Sequence, residues 1–587
     1  GGPAGVAGAL RGAQIGKRVL VVDRPKAAPE EGGLDFGFGG PTGLFSKALR
    51  DVGKTLDIDV LQDMGLDNDV IWSQVRNNCL RLASNNALKQ VSVLQDFRVG
   101  YLQGEASLHP AAEDGKTTKI TIKKHADGTA CEVRTRRVLL CTGSKPIPLP
   151  GVPFDGERVY DSDTINGLNF KPRSVVIVGS GIIAIEYAKI FRQFGAKVSM
   201  LIRGGARSSL DRIGLDETIA TRLLDGLKDD DVTLYEHTSV EKFDVDPGCD
   251  VFASDTNLNI GGNECDPIKL YLTTHGEPAG TLETDIYMAA AGRAPVTRGT
   301  SLSLEEAGVD LHERSGHILV DERFKTSVDA VYAAGDCVIG PALASTGVDQ
   351  AQRAVQNMFG SSDSAAESSL NYPIGMWTIP EIGYFGLTKK AALSQGIDAD
   401  EGVAKFDACL RGRVFAPDGV LKLVFEKSST RIIGVHIIGT DACELVHYGM
   451  DLVEQEATIF DVIKTLFTAV TFHELFKEAA LDANSKLEFG IQWQSVLNEL
   501  SICLPDAHLY SDKELRAKFD EIDTSGDESL DEEELSAVFE NIGKKVDEEV
   551  ISNLVNLADD DGNGTLEWNE FASIFQVLKT MKANGTL

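Results

Sequence analysis

The sequence predicts an α/β protein with two parallel-sheet units, an α+β domain after them and a small all-α lobe at the C-terminal end. Three observations predict it. A glycine-rich turn, a small-residue helix and an apolar strand ending in a polar residue follow one another twice, over Gly1 to Asp23 and over Ser174 to Arg203. A separate pattern begins near Tyr372 and contains the strand-like runs VLKLVFE and IIGVHIIG. From Pro505 to Leu587 the chain carries 21 Asp and Glu against 7 Lys and Arg, gathered around two oxygen-rich loops.

A chain of 587 residues exceeds what one core can organise, so several domains are expected. The expected boundaries are 1–170 for the first unit, 171–291 for the second, 292–371 for a return to the first, 372–487 for the α+β domain, 488–505 for a linker and 506–587 for the lobe. Between the two glycine turns, KTTKITIKKHADGTACEVRTRRVLLCTG alternates like antiparallel strands.

The formal net charge of −32 argues against a nucleic-acid partner and against an anionic membrane surface. No apolar run reaches transmembrane length, so an integral membrane protein is not expected. The N-terminal residues read as folded domain rather than as a signal peptide. Nine scattered cysteines without a CxxC pair point to a reducing compartment rather than a disulfide scaffold. A soluble protein of the cytosol or of an organelle matrix, mitochondrial or plastid, is the expectation.

The first turn, Gly1-Gly2-Pro3-Ala4-Gly5, reads as a GxGxxG motif lacking its first glycine, and Asp23 closes the next strand at the ribose-binding spacing. Glycines let backbone reach a pyrophosphate, the helix N-terminus offers unpaired N–H groups, and the acid takes ribose hydroxyls. A Rossmann-like sheet also needs a strand ahead of Gly1. The second motif is complete: the strand from Val175 to Val178 enters Gly179-Ser180-Gly181, with Ala184 at the third glycine position. Its following strand ends in Arg203, with Arg207 four residues on. A carboxylate there would repel a 2′-phosphate, whereas arginine pairs with it, so NADP(H) is favoured over NAD(H).

In the acidic tail, Asp523, Ser525, Asp527, Ser529 and Glu534 fit positions 1, 3, 5, 7 and 12 of an EF-hand loop. Asp559, Asp561, Asn563, Thr565 and Glu570 fit a second loop that starts 36 residues later. Ca²⁺ is the expected cation. The second loop has Gly564 at its sharp turn and the first has Glu528. The first is therefore expected to bind more weakly, a left-handed side chain costing roughly 1–2 kcal/mol. Leu515, Phe519, Ile522, Leu535, Val538, Phe539 and Ile542 follow helical spacing, and Ser511 with Glu514 reads as a capping box.

Two nucleotide units in this order resemble the flavoprotein disulfide reductase family. The resemblance rests further on Thr326-Ser327-Val328, on Val331-Tyr332-Ala333-Ala334-Gly335-Asp336 and on Cys141-Thr142-Gly143-Ser144. Within the family, Tyr160-Asp161-Ser162-Asp163-Thr164-Ile165, PALASTGVDQAQ and GVHIIGTDACELVHYG are similar to the soluble pyridine nucleotide transhydrogenases. The resemblance covers Gly1 to about Asn484. It implies FAD in the first unit, with Thr142, Gly143, Gly335 and Asp336 contacting it, and a nicotinamide cofactor in the second. It also implies a homodimer, or a subunit of a larger complex, built through 372–487. Lys47 and Glu186 match a pair that the family places beside the flavin, where lysine supports the charge of the reduced ring.

Two departures narrow the chemistry. The family's cysteine pair falls on Phe38 and Gly43, so thiol–disulfide exchange is not available there. Its C-terminal histidine falls on Ala469, with Glu474 retained. His473 and Glu474 form an alternative acid–base dyad on paper, although adjacent helix residues do not face one another. The expected function is hydride transfer from NADPH through FAD to a second nicotinamide, transhydrogenase-like, with a Ca²⁺-responsive tail. The competing expectation is a retired flavoprotein scaffold or Ca²⁺-responsive subunit, and a third is an NADPH oxidase or quinone reductase.

Overall fold

The computed structural model describes residues 1–24, 46–47, 49–50, 68–111, 117–168, 170–245, 266–360, 371–487, 511–541, 551–552, 555, 558–559 and 563–583. The chain divides into two compact units, Gly1–Thr388 with His436–His447, and Lys389–Val435 with Tyr448–Leu587.

In the first of these, α1 (Pro3–Gln14) starts with proline at its first turn, where a missing N–H costs nothing, and buries Val6, Ala7, Gly8, Ala9 and Gly12. It leads into β1 (Leu20–Asp23). The long helix α2 (Asn68–Asp96) contributes Leu94 to the cluster that holds Val6, Ala9, Val21 and Val99. β1 pairs in parallel with β2 (Gly100–Ala111), which continues antiparallel through β3 (Thr118–Lys124) and β4 (Ala130–Thr135). The alternating stretch thus forms antiparallel strands up to Thr135. β5 (Val138–Leu140) leaves that sheet, and β6 (Ser144–Pro146) follows it.

The second nucleotide unit is a parallel five-stranded sheet in the order β10-β9-β8-β14-β7. Its strands are β7 (Val159–Asp161), β8 (Ser174–Val178), β9 (Lys197–Ile202), β10 (Thr233–Glu236) and β14 (Ile286–Ala289). β7 reaches back across the boundary expected at residue 171. Crossover helix α3 (Ile182–Gln193) buries Ala184, Ile185, Tyr187, Ala188, Ile190 and Phe191 on the sheet. Burying an Ile or Phe side chain contributes roughly 1.5–3 kcal/mol, which fixes the helix over the strands. α4 (Ala206–Arg212) and α5 (Glu217–Asp229) precede β10. β11 (Thr238–Asp244), β12 (Ile268–Thr274) and β13 (Glu277–Thr284) form an antiparallel meander.

The chain then returns to the first nucleotide unit. β15 (Arg293–Pro295) runs antiparallel to β6, and β16 (Val331–Ala333) runs parallel to β5. α6 (Ala344–Phe359) packs beside α1: a Cβ placed on Gly347 would lie 3.3 Å from Ala4 Cβ. β17 (Ile374–Met376) and β18 (Glu381–Gly386) form an antiparallel pair. Among the described residues no helix is long and apolar enough to cross a membrane.

In the other compact unit, β19 (Ala399–Lys405) pairs antiparallel with β20 (Val420–Glu426), the VLKLVFE run. Lys422, at 2% exposure, is held there by Glu401 at 2.9 Å. β21 (Ile432–Gly439), the IIGVHIIG run, belongs to this unit through Val435 and to the first unit from His436. In the tail, Asp512–Ile522 is helical and carries the expected capping box. Glu532–Asn541 and Trp568–Ala583 are helical as well. β22 (Ser529–Leu530) and β23 (Leu566–Glu567) join the two loops antiparallel, with Leu530 and Leu566 fully buried. Phe519 fills the lobe edge-on against Trp568 and Phe571. Leu515 and Leu535 are buried as their spacing predicts, and Ile522 is half-buried. Ile542 and the side chains of Val538 and Phe539 lie outside the described residues.

Candidate functional site

The first glycine turn and its acid come together. Asp23 Oδ1 lies 2.8 Å from the nitrogen of Gly1. A Cβ on Gly2 would meet nothing within 4 Å, so the turn is open on the side where a pyrophosphate would lie, while a Cβ on Gly5 would lie 3.7 Å from Cys141 Cβ. Gly143 is similarly open, with φ +70°. Gly335 has φ +83°, and a Cβ there would sit 3.1 Å from Ala4 Cβ, so glycine satisfies both backbone conformation and close packing. Its N–H donates to Gln350 Oε1 at 2.8 Å.

Asp336 is held by Ser144 Oγ, which donates to its Oδ2 at 2.6 Å. The Thr346 hydroxyl, in the first turn of α6, is buried without a hydrogen-bond partner among the described residues. Buried polar atoms are almost always satisfied, so an unsatisfied one beside a glycine cradle fits a polar ligand edge. The open turns, Asp23, Asp336 and the α6 N-terminus together fit a dinucleotide such as FAD. Thr142 borders the same site. Burial pushes the Cys337 thiol up, while the N–H groups of Thr142 and Gly143 act in the opposite sense.

Lys47 and Glu186 meet: Lys47 Nζ donates to Glu186 Oε2 at 2.6 Å. Glu186 is 3% exposed and also accepts the Trp377 N–H at 3.0 Å, which fixes both carboxylate oxygens. Burial, and then the Glu186 charge, raises the pKa of neighbouring Tyr187 far above the ordinary phenol range. Behind this pair lies a second one. Arg50 Nη2 donates to Glu381 Oε1, both side chains are buried, and the Trp377 ring lies 5.0 Å from the Arg50 guanidinium. Glu381 also accepts the Cys443 N–H at 3.3 Å. Burial and the Glu381 charge push the Cys443 thiol up to about 12, so it is inert as a nucleophile at neutral pH.

At the second turn, Gly179 has φ +134°, and a Cβ there would lie 2.2 Å from Ala290 O. Gly181 caps α3 in extended conformation and faces open space. Arg203 is exposed at the end of β9 and has no carboxylate partner among the described residues. Arg207 is turned elsewhere: it contacts Asp211 at 3.3 Å and donates to Glu217 O at 2.8 Å and Thr221 Oγ1 at 2.7 Å. The structure therefore leaves Arg203 available to a phosphate and does not bring Arg207 to it.

His473 and Glu474 do not form a dyad. Glu474 accepts the Thr471 N–H at 3.1 Å, while His473 packs on Tyr448 and Phe476, and burial lowers its pKa. Ala469 is exposed. Phe38 and Gly43 lie outside the described residues, and the sequence alone excludes sulfur at both.

A cluster that sequence reasoning did not single out joins the two nucleotide units. Arg293 donates from Nε to Ser144 Oγ at 2.8 Å, from Nη2 to Ser144 O at 2.8 Å and from Nη1 to Asp163 Oδ1 at 2.6 Å. The signal was an arginine set in the otherwise apolar run MAAAGRAP. Arg50 and Glu381, also missed, were visible as charges beside Leu49 and within EIGYF.

Residues 1–357 match the pyridine nucleotide-disulphide oxidoreductase family, and residues 372–480 match its dimerisation domain. The chain belongs to this family. Residues 512–576 match the EF-hand domain pair. The chain is 31% identical over 500 residues to the soluble pyridine nucleotide transhydrogenase of Mycobacterium tuberculosis, covering 83% of this chain and 96% of that one. It is 30% identical over 494 residues to the transhydrogenase of Colwellia psychrerythraea, covering 83% and 97%. In structure it resembles LpdA from M. tuberculosis, with a TM-score of 0.68, 22% identity and coverage of 82% and 97%. It also resembles the HOCl-induced flavoprotein disulfide reductase RclA from Escherichia coli, with a TM-score of 0.64, 22% identity and coverage of 81% and 97%. This member of the pyridine nucleotide-disulphide oxidoreductases is thus a flavoprotein oxidoreductase of the NAD(P)-using class that carries an EF-hand pair.

In the first EF-hand loop, Asp523 accepts the N–H groups of Gly526, Asp527 and Glu528, and Ser525 Oγ donates to it at 3.1 Å. Asp527 accepts from Ser529, and Glu534 accepts the N–H groups of Thr524 and Ser525. Glu528 does stand at the turn with φ +67°, against +85° for Gly564. In the second loop, Asp559 accepts from Asn563 and Gly564, Asn563 accepts from Thr565, and Glu570 accepts the Glu567 N–H. Asp561 lies outside the described residues. Among the described residues no three His, Cys, Asp or Glu side chains converge tightly enough to hold a metal ion. The donors are all oxygen, which is the set a hard cation such as Ca²⁺ takes, with Glu534 and Glu570 at the bidentate position.

Proposed function

We propose that this oxidoreductase takes hydride from NADPH and passes it through FAD to a second nicotinamide nucleotide, so that NADPH and NAD⁺ become NADP⁺ and NADH. The observation that carries the reading is the Lys47–Glu186 pair, kept at 2.6 Å in a chain whose family cysteines are replaced by Phe38 and Gly43. The likeness to transhydrogenases supports the same reading. Bound FAD would supply the ring that accepts hydride and gives it up again.

This chain's own residues then have separate tasks. Gly1, Gly2, Gly5 and the α1 N-terminus hold the flavin nucleotide's pyrophosphate, and Asp23 takes its ribose hydroxyls. Gly179 and Gly181 do the same for the pyrophosphate of the nicotinamide cofactor. Arg203 selects the 2′-phosphate. NAD(H), which lacks it, is the weaker ligand on donation. Lys47 keeps a positive charge near the reacting rings, and Glu186 holds that ammonium in place and limits its cost. Asp336 takes a hydroxyl of the flavin side chain. The 372–487 region makes a homodimer, or docks the chain in a larger complex, and Ca²⁺ bound by the lobe tunes activity or assembly.

The test mixes the flavin-loaded protein with NADPH and thio-NAD and follows reduction of the thio analogue. Transfer at a rate that scales with bound flavin supports the proposal. Bound flavin that NADPH reduces but thio-NAD does not reoxidise points to another acceptor, such as a quinone or oxygen.

A further inference from the structure

Ser144 Oγ sits between two partners. It accepts Nε–H of Arg293 at 2.8 Å, and it lies 2.6 Å from Asp336 Oδ2. Arginine has no lone pair to offer, so the serine proton has one direction left and points to the carboxylate. Asp336 Oδ1 has no described partner and is the oxygen left for a ligand hydroxyl. Arg293 is itself fixed from the far side by Asp163, at 2.6 Å from Nη1, and by Ser162 Oγ at 3.3 Å from the same nitrogen. Asp163 follows β7, at the end of the sheet where Gly179 and Gly181 turn. Arg293 is 18% exposed, so these bonds are only partly open to water.

We propose that Arg293 is a positioning residue that orients Asp336 for the flavin side and, through Asp163, links that carboxylate to occupancy of the nicotinamide-nucleotide site. The inference rests on the two-nucleotide reading above. It adds that the two sites are coupled, and by which atoms. NADP⁺ bound across the second glycine turn settles the loop that carries Ser162 and Asp163. Arg293 then holds Ser144 more firmly, and flavin leaves more slowly. By linkage, the factor by which NADP⁺ raises the equilibrium affinity for FAD is also the factor by which bound FAD raises the affinity for NADP⁺.

The experiment uses full-length holoprotein and measures the rate of FAD release by the recovery of flavin fluorescence, with and without saturating NADP⁺. For the wild type, NADP⁺ is expected to slow release about 5-fold, a coupling of ordinary size for two sites. Arg293→Met is expected to release FAD about tenfold faster without NADP⁺ and to lose the response to NADP⁺, while Arg293→Lys restores part of both. Ser144→Ala breaks the last link alone. It should speed release by a similar factor, and the Arg293→Met/Ser144→Ala pair should be no worse than either change. Wild-type release that ignores NADP⁺, or an Arg293→Met protein that keeps the response, overturns the proposal. Purified protein that holds no flavin would instead remove the reading beneath it.

Discussion

Lys47 is the residue on which the hydride chemistry turns. Its ammonium is bonded to a carboxylate that is itself 3% exposed, so the pair is fixed before any ligand arrives. Lys47→Met is expected to slow flavin reduction by NADPH about 10- to 100-fold while leaving the NADPH dissociation constant within about 3-fold, as stopped-flow flavin absorbance will report. Arg203 acts on binding instead. Arg203→Glu is expected to weaken NADPH about 10- to 100-fold and to favour NADH, read from the ratio of the two dissociation constants. Glu528 holds a left-handed backbone that glycine adopts without strain. Glu528→Gly should gain about 1 kcal/mol, or about 5-fold in Ca²⁺ affinity at the first loop, measurable by calorimetric titration.

At the scale of elements, what the sequence disclosed depended on how strictly a local geometry dictates residue type. The second glycine turn was readable because Gly179 has a carbonyl 2.2 Å from where a Cβ would be, so no other residue serves. The EF-hand loops were readable because every ligand lies within twelve residues. β5 was harder: VLL closes an alternating stretch, yet it pairs with β16, nearly two hundred residues later. The Arg293 cluster was harder for the same reason: the arginine stands out in an apolar run, yet the partners Asp163, Ser144 and Asp336 lie on separate segments. Arg207 was read as a phosphate ligand because sequence cannot show that Glu217 and Thr221, one helix later, engage it first. The Arg50–Glu381 pair ties Arg50 to the first residue of β18 through a buried contact. Breaking it with Arg50→Met removes the cation from a buried carboxylate and should cost about 3–5 kcal/mol, seen as a lower thermal midpoint. Adding Glu381→Met should recover much of that loss.

For the molecule as a whole, charge is the dominant long-range property. The formal charge is −32, and the last 83 residues hold 21 of the 89 acidic groups. Such a field draws cations toward the lobe and is screened by salt over about 8–10 Å near physiological ionic strength. Raising KCl from about 0.02 to about 0.5 M should therefore weaken Ca²⁺ binding several-fold, with little change in NADPH affinity if Arg203 acts locally. A calcium titration at the two salt concentrations, paired with an NADPH titration, distinguishes the general field from the local contact.

The antiparallel pairing of β6 with β15 also bears on how such a protein could be rebuilt. Pro146 and Arg293 stand opposite one another, so the excursion that makes the nicotinamide unit leaves and rejoins the chain at a single spot. An insert whose two ends touch can be lifted out or exchanged without stretching its host. Substituting residues 147–292 with the corresponding piece of an NADH-selective relative is thus a practical route to a hybrid of altered cofactor preference, provided the incoming piece carries an acid to meet Arg293 and a carboxylate to meet Lys47.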